Sequence, residues 1–263
     1  MSDTFTKQDL STSSRTSVSA GGVLALAYGA LSYAVFLVAF LYAIGFVGNF
    51  VVPKTIDSGT ERSLPEALII NVLLLGAFAF QHSIMARPGF KKWWTKVIPK
   101  SIERSTFVLL ASFMLLLLYW QWRPILTPVW VVEHSVGQLL LQALYFLGWL
   151  IVFLGTFMIN HFDLFGLRQV YLNLRNREYT ELGFRTPGFY KFVRHPIMLG
   201  FLIAFWATPV MTVGHLLFAA ATTGYIFIAL QREERDLVNH FGERYQEYRR
   251  KTSMLIPRMP KQQ

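Results

Sequence analysis

The sequence contains no cysteine and few charged residues for its size. None of its 263 residues is cysteine, and only 15% are charged, while 53% are hydrophobic. The lack of cysteine excludes disulfide bonds, thiolate metal sites and a cysteine nucleophile. The shortage of charge, together with long apolar runs, is typical of an integral membrane protein and not of a soluble domain.

Several short motifs of catalysis and ligand binding are also missing. The sequence has no GxGxxG, no phosphate-binding loop, no HExxH and no GxSxG. Dinucleotide-binding domains, nucleotide hydrolysis, zinc proteolysis and serine hydrolysis are therefore disfavoured. We expect no resident metal, and we expect structural roles for the histidines that have no neighbour at metal-ligand spacing, namely His82, His134, His215 and His240.

The chain carries a formal charge of +10, which is a common property of nucleic-acid-binding proteins. Its basic residues, however, lie between the hydrophobic segments, where membrane topology requires them. Loops 87–104 and 160–195 are rich in Lys and Arg, whereas loop 122–136 has only Arg123. We therefore expect membrane lipid and not nucleic acid as the partner, with the two basic loops in the cytoplasm.

The hydrophobic pattern predicts four membrane-crossing helices, at residues 23–52, 65–85, 105–120 and 136–159. Residues 1–20 are polar and rich in Ser and Thr, so we interpret them as a mobile tail. No stretch alternates between apolar and polar residues as a strand would, and we predict an all-α fold.

A C-terminal hairpin is predicted between Arg194-His195-Pro196 and Glu233-Glu234. The apolar stretch between these points, residues 197–231, is interrupted by Pro209 and Gly214. Each half is roughly 20–25 Å long, which is short for a hydrocarbon core of about 30 Å. We therefore predict a hairpin that dips into the membrane and returns, counted as a fifth span or a pair, followed by an interfacial helix.

This topology puts both termini and the charged groups in the cytoplasm of a multi-pass protein. The predicted division is a tail at 1–20, a helical bundle at 21–160 and a ligand-binding region at 161–263. The last region contains the hairpin and a basic helix, on which Tyr245 and Tyr248 either close a ligand site or anchor the helix.

Arg194, His195 and Pro196 form the first candidate site. Proline at the first turn of a helix puts His195 at or next to the N-cap, where free N–H groups suit a carboxylate or phosphate. Alternatively, Arg194 extends to the interface and His195 only caps the helix. Glu233 and Glu234 suit ribose hydroxyls, an adenine amine or a cation; alternatively, they pair with neighbouring arginines at the surface.

The stretch NHFDLFGLRQ, where the fourth span ends, is the third candidate site. Ionisable groups at the mouth of a membrane bundle are functional candidates. His161 is a possible general base, with Asp163 orienting it or binding a cation. The two residues share no helical face unless the helix breaks, which Gly166 makes plausible. The alternative is a helix end that faces water.

The C-terminal third resembles the isoprenylcysteine carboxyl methyltransferase superfamily. The likeness rests on Arg-His-Pro at 194–196, Glu-Glu at 233–234, the pattern FGxxYxxY at 241–248 and Pro257. Longer segments, among them NHFDLFGLRQVYL and EERDL, are similar to the bacterial methanethiol S-methyltransferase family. The resemblance implies S-adenosylmethionine as cofactor, bound without a Rossmann domain, and methylation of methanethiol to dimethyl sulfide.

The resemblance also implies roles for individual residues. His195 and the first hairpin turn are expected to hold the methionyl part, and a glutamate the ribose or adenine. The cofactor candidates are Gln169, Tyr190, Arg194, His195, Pro196, Gly200, Glu233 and Glu234. The catalytic candidates are His161, Asp163 and Arg168, and the apolar walls are Phe162, Phe165, Phe201, Phe205 and Trp206.

Other acceptors remain open, because relatives in the superfamily methylate prenylcysteine carboxylates and phospholipid amines. A different thiol is a further possibility. A non-catalytic membrane protein, with charges that only set the topology, is the remaining alternative.

Overall fold

A computed structural model describes residues 19–257. A small sheet pairs strands β1 (Pro128–Val131) and β2 (Val210–Thr212), and Gly188–Lys191 form a short 3-10 helix. The α-helices are α1 (Ala20–Gly48), α2 (Leu64–Met85), α3 (Pro88–Trp94), α4 (Lys100–Gln121), α5 (Ser135–Ile159), α6 (His161–Leu164), α7 (Leu167–Leu174), α8 (Pro196–Trp206), α9 (Val213–Phe241) and α10 (Glu243–Lys251).

The prediction of an all-α membrane protein is confirmed. Helices α1, α2, α4, α5 and α9 are long and apolar enough to cross a membrane. Ser19 caps α1 by accepting the Gly22 N–H at 3.0 Å, and Asn49, whose φ of 60° is left-handed, is the C-cap that follows the last helical residue. Most of the predicted tail, residues 1–18, lies outside the described residues.

One half of the hairpin is longer than predicted, since neither half was expected to cross a membrane comfortably. Helix α9 has 29 residues, which is about 43 Å of helix and more than a hydrocarbon core requires. Helix α8 has only 11 residues, about 16 Å, and residues 207–209 continue it to β2 without helix. The sequence pattern missed this asymmetry because the Glu-rich end of α9 continues the helix beyond its apolar part.

The prediction that the chain contains no strand is wrong for two short segments. Strands β1 and β2 are antiparallel, with Pro128 opposite Thr212 and Val131 opposite Val210. The Thr212 hydroxyl also donates to Asp57 at 2.6 Å, in the connection from α1 to α2. The hairpin turn therefore reaches the end of the bundle where α1–α2 and α4–α5 are connected, which we call the far end.

The opposite end, called the near end, holds the start of α1 and the end of α9. A Cβ atom on Gly22 would lie 3.2 Å from the Leu174 Cα, so α7 runs close along α1 there. Arg87, after α2, lies 3.9 Å from Asp236 in the last turns of α9. The predicted convergence of both hairpin ends at one level therefore takes place at the near end.

An aromatic core fills the far half of the bundle. Phe205, a predicted wall residue, packs there edge-on against Phe218 with ring centroids 5.1 Å apart, and Phe201 packs against this core. Many apolar side chains on the outer helix faces are exposed, as expected where lipid surrounds a protein. The largest buried aromatic residues of the core are Phe46, Tyr119, Trp122, Tyr145, Trp149, Phe205 and Phe218.

Helix α8 is held against α5 by small residues. A Cβ atom on Gly200 would lie 2.6 Å from the Gly148 carbonyl oxygen and 2.9 Å from Val152. Backbones approach this closely only where side chains are absent. Gly200 thus fixes α8, and with it His195, relative to α5, while its predicted contact with the cofactor stays a prediction.

Candidate active site

Arg194, His195 and Glu234 form a buried ionic cluster at the near end. The Arg194 Nε donates to Glu234 Oε1 at 2.6 Å, and His195 Nε2 lies 3.1 Å from the same oxygen. The Glu234 side chain is only 4% exposed. A buried carboxylate requires such partners, since an unpaired charge there is costly. The first and last turns of the hairpin are thus joined directly.

Helix α10 closes the cluster from the other side. Arg249 Nε lies 3.2 Å from Glu234 Oε2, so both carboxylate oxygens have cationic or imidazole partners. Arg194 Nη1 in turn donates to the backbone carbonyl oxygens of Arg249, at 3.3 Å, and Thr252. Glu234 therefore holds the C-terminal segment onto the hairpin and has little capacity left for a ligand.

Glu233 is in a different situation from its neighbour. Its side chain is 51% exposed, and its Oε2 lies 3.8 Å from His195 Nδ1. That distance is longer than a hydrogen bond, so the carboxylate remains available. Of the two predicted glutamates, Glu233 is the one that can bind hydroxyl or amine groups of a ligand.

His195 lies at the N-cap of α8 with Pro196 at the first helical position, as predicted. Its side chain makes no capping hydrogen bond, so the alternative of a purely capping histidine does not apply. Backbone hydrogen bonds fix the approach to the helix: Arg194 N donates to Ser253 O at 2.8 Å, and His195 N to Met254 O at 3.2 Å. The residues after α10 thus fix the position of the N-terminus of α8.

Tyr190, Tyr245 and Tyr248 join the loop before α8 to α10. The Tyr248 hydroxyl donates to the Tyr190 carbonyl oxygen, and Tyr245 is 2% exposed. Burial raises the pKa of Tyr248 to about 12, so its hydroxyl stays a donor at neutral pH. Both α10 tyrosines anchor that helix, and the Tyr190 side chain is itself buried.

His161 lies between α5 and α1, within a group of aromatic rings. Its Nδ1 is 2.9 Å from the Thr156 hydroxyl, and its Nε2 is 2.7 Å from the Tyr33 hydroxyl. The Phe157 ring is stacked on the imidazole at 4.2 Å, and Phe165 packs edge-on at 4.8 Å. Burial lowers the pKa of His161, so the imidazole is neutral at pH 7, as a general base requires.

Asp163 does not orient His161, contrary to one of its expected roles. Its Oδ1 accepts from Arg168 at 3.0 Å, and its Oδ2 accepts from Tyr179 at 3.2 Å. Asp163 is therefore the ion-pair partner of Arg168, and its expected role in binding a ligand cation stays a prediction. Gln169 donates to the Asp163 carbonyl oxygen at 3.2 Å, while its own Oε1 is buried without a partner in the described chain.

The predicted apolar walls divide between two places. Phe162 and Phe165 lie beside His161, whereas Phe201 and Phe205 pack in or against the far core. Trp206 donates its indole N–H to Thr223 at 2.9 Å. Only the first pair can therefore surround a small acceptor near His161.

The site contains residues that sequence reasoning missed. Thr156 lies five positions before His161. A hydroxyl residue so near in the sequence is a possible hydrogen-bond partner of the histidine, but this proximity alone is weak evidence. Tyr33 lies 128 positions from His161, inside an apolar run in which nothing marks it. Arg249 was one of several basic residues in the tail.

Fold and site together define a multi-pass, predominantly helical membrane protein with a buried ionic site at one end of its bundle. No protein-family model and no solved structure matches the chain. Curated relatives do match it. It is 60% identical to a methanethiol S-methyltransferase of Mycobacterium tuberculosis over 89% of this chain and 96% of that protein.

Two further relatives carry the same name. A methanethiol S-methyltransferase 2 of Bradyrhizobium diazoefficiens is 59% identical over 89% of this chain and 90% of its own length. One from Crocosphaera subtropica is 55% identical over 88% and 91%, respectively. The chain belongs to the methanethiol S-methyltransferase family and is an enzyme, which confirms the resemblance seen in the sequence.

Proposed function

We propose that this enzyme transfers the methyl group of S-adenosylmethionine to methanethiol, releasing dimethyl sulfide and S-adenosylhomocysteine. The observation that carries the proposal is 60% identity to a methanethiol S-methyltransferase over 96% of that relative's length. The near end faces the cytoplasm of a bacterial inner membrane in this proposal. Its connections carry the basic loops, as the rule for cytoplasmic loops requires.

The residues around α8 fit S-adenosylmethionine by their chemistry. The N-terminal turn of α8 begins at Pro196 and offers N–H groups to a carboxylate. The half-exposed Glu233 offers a carboxylate to ribose hydroxyls or an amine. The buried Gln169 Oε1 has no donor among the described residues and suits an amine or hydroxyl at the same end of the bundle.

Glu234 has a supporting role in this assignment. Because its carboxylate is shared by Arg194, His195 and Arg249, it positions the groups that contact the cofactor. His195, held at 3.1 Å, keeps a fixed ring orientation beside Glu233. We therefore assign ribose or adenine recognition to Glu233 and the assembly of the site to Glu234.

The surroundings of His161 suit the acceptor. Bound S-adenosylmethionine supplies an electrophilic methyl group on a cationic sulfonium. Attack by a thiolate neutralises that charge, and a dry pocket favours such a step over separated, hydrated ions. Phe157, Phe162 and Phe165 surround His161, which is only 5% exposed. A thiol is mostly protonated near neutral pH, so the neutral His161 is assigned as the ultimate base.

The test is dimethyl sulfide formation, measured by headspace gas chromatography on purified full-length protein supplied with S-adenosylmethionine and methanethiol. Product must depend on both substrates. Glu233→Gln should weaken S-adenosylmethionine binding about 10–100-fold in calorimetry, as expected for a lost hydrogen bond to a charged group.

Glu243→Gln is the matched control, since this carboxylate lies at the same end on α10 but is 71% exposed and has Arg250 as its ion-pair partner within residues 19–257. It should bind cofactor as the wild type does. If the wild-type protein binds S-adenosylmethionine but produces no dimethyl sulfide, methanethiol is the wrong acceptor and the methyl donor stays as proposed. A protein that binds no S-adenosylmethionine would remove the proposal altogether.

A further inference from the structure

Tyr33, His161 and Thr156 form one hydrogen-bonded chain that joins α1 to the end of α5. The Tyr33 hydroxyl oxygen lies 2.7 Å from His161 Nε2, and the Thr156 hydroxyl oxygen lies 2.9 Å from His161 Nδ1. Both distances are those of good hydrogen bonds. Both ring nitrogens are therefore engaged by hydroxyl groups.

The Thr156 hydroxyl determines which nitrogen carries the imidazole proton. Its own proton is donated to the Phe153 carbonyl oxygen at 2.7 Å, and a hydroxyl has only one proton to give. Towards His161, Thr156 must therefore accept, so the proton is on Nδ1. The Nε2 atom of the neutral ring then carries a lone pair and points at Tyr33.

Tyr33 consequently donates its hydroxyl proton to His161 Nε2. This arrangement blocks Nε2 from direct contact with a substrate, because the phenol oxygen already occupies the position in front of the lone pair. The Tyr33 oxygen keeps its acceptor capacity, since His161 is its hydrogen-bond partner within the described chain. Tyr33 is also only partly buried, so part of its side chain remains accessible to a small molecule.

We propose that Tyr33 relays the proton of the acceptor thiol to His161, and that Thr156 is the positioning residue that keeps His161 in the receptive tautomer. This inference rests on the proposed function and identifies the group that contacts the thiol. Tyr33 is thus assigned as a catalytic residue with His161 behind it.

The proton balance of the relay is complete. The thiol S–H bond breaks and its proton goes to the Tyr33 oxygen, while the Tyr33 proton moves to His161 Nε2. The thiolate electron pair forms the new S–CH3 bond. The S–CH3 bond of the sulfonium breaks, and its electron pair stays on the cofactor sulfur. His161 ends as an imidazolium whose Nδ1–H still donates to the Thr156 hydroxyl oxygen, and it later loses the extra proton to water.

The surroundings accommodate that transient charge. Phe157 is stacked on the imidazole at 4.2 Å with planes 10° apart, and an aromatic face attracts a cation. The charged groups of the neighbouring elements are engaged elsewhere: Arg104 of α4 donates to the Leu164 carbonyl oxygen, and Arg168 of α7 pairs with Asp163 of α6. His161 is therefore the base that the chain offers to Tyr33.

The first test is Tyr33→Phe, which removes the hydroxyl and keeps the ring against Phe36 and Phe165. Turnover at pH 7 should fall about 100-fold, the usual minimum for lost proton transfer, while S-adenosylmethionine binding is unchanged. Tyr28→Phe is the matched control on the same helix: its hydroxyl bonds Thr106 at 3.0 Å, and its removal should leave turnover unchanged.

The pH profile separates a relay from a structural role. In the variant, the reaction depends on thiolate formed in solution, so kcat/KM should rise about tenfold per pH unit below the thiol pKa. The wild type should show a plateau over the same range. If Tyr33→Phe keeps the wild-type turnover and plateau, the relay is wrong.

Thr156 provides a second pair of variants should Tyr33→Phe fail to fold. Thr156→Val removes the acceptor for His161 Nδ1 and should lower turnover and steepen the pH profile, whereas Thr156→Ser keeps the hydroxyl and should restore both. Equal profiles for these two variants overturn the relay. If the wild type forms no dimethyl sulfide, both the proposed function and the relay are wrong. If the wild type is active and the variants are unaffected, the relay alone is wrong.

Discussion

Arg194 Nε and Glu234 Oε1 meet at 2.6 Å although 40 positions of apolar hairpin separate the two residues. Each side chain is at most 8% exposed. The pair joins the point where the chain enters the hairpin to the point where it leaves. Because Arg249 completes the cluster, the two helices of the hairpin and α10 meet at one carboxylate.

Glu234→Ala is expected to release α10 from the hairpin. Removing one partner from a buried ionic cluster costs about 3–5 kcal/mol, because the remaining charges lose their partner. The midpoint of thermal denaturation in detergent should fall, and protease should cleave after α9 more readily. Cofactor binding should be lost as a consequence. Glu247→Ala, which removes an exposed pair with Lys251, should change none of these; a Glu234→Ala protein as stable as wild type would contradict the anchoring role.

Gly200→Ala is expected to push α8 away from α5. The added Cβ would lie 2.6 Å from the Gly148 carbonyl oxygen, and overpacking of this kind costs about 1–3 kcal/mol. Both thermal stability and turnover should fall, since α8 carries His195. The control is Gly224→Ala on α9, where a Cβ meets nothing within 4 Å and alanine is the better helix former. Equal behaviour of the two variants would mean that the close approach is not required.

Acid should destabilise the protein through His161. Burial lowers the pKa of this group in the folded state below the unfolded value of about 6.5. The folded state then binds fewer protons between the two values, so stability is complete above about pH 6.5 and declines as the pH falls towards the folded pKa. The denaturation midpoint should drop between pH 7.5 and pH 5.5, and His161→Gln should reduce that drop. An identical drop in the variant would assign the acid sensitivity to other groups.

Sequence patterns predicted the parts of the fold that depend on nearby residues. The spans follow from apolar length, and His195 follows as the N-cap of α8 because Pro196 stands next to it. The near-end meeting of Arg194 and Glu234 followed from reasoning that a hairpin must return its ends to one level. These inferences need only helix geometry and the polarity of a membrane.

Contacts between distant segments could not be predicted in the same way. Glu234 is held in an ion pair by Arg249 whereas Glu233 stays half exposed. Arg249 reaches the site only after the chain reverses at Gly242. That glycine has a φ of 58°, and the residues around it do not predict the angle at which α10 leaves α9. The pairing of Tyr33 with His161 and of β1 with β2 likewise depends on how helices pack side by side, which local composition does not encode.

The short length of α8 has a consequence for how the protein is made. At 11 residues, α8 is too short to cross the membrane alone, and its Gly200 packs closely against α5. We therefore expect α8 to enter the membrane together with α9, after α5 is in place. Ribosomes must then translate past Phe241 before the hairpin can insert, so a nascent chain arrested before α9 should leave α8 accessible to water-soluble labels.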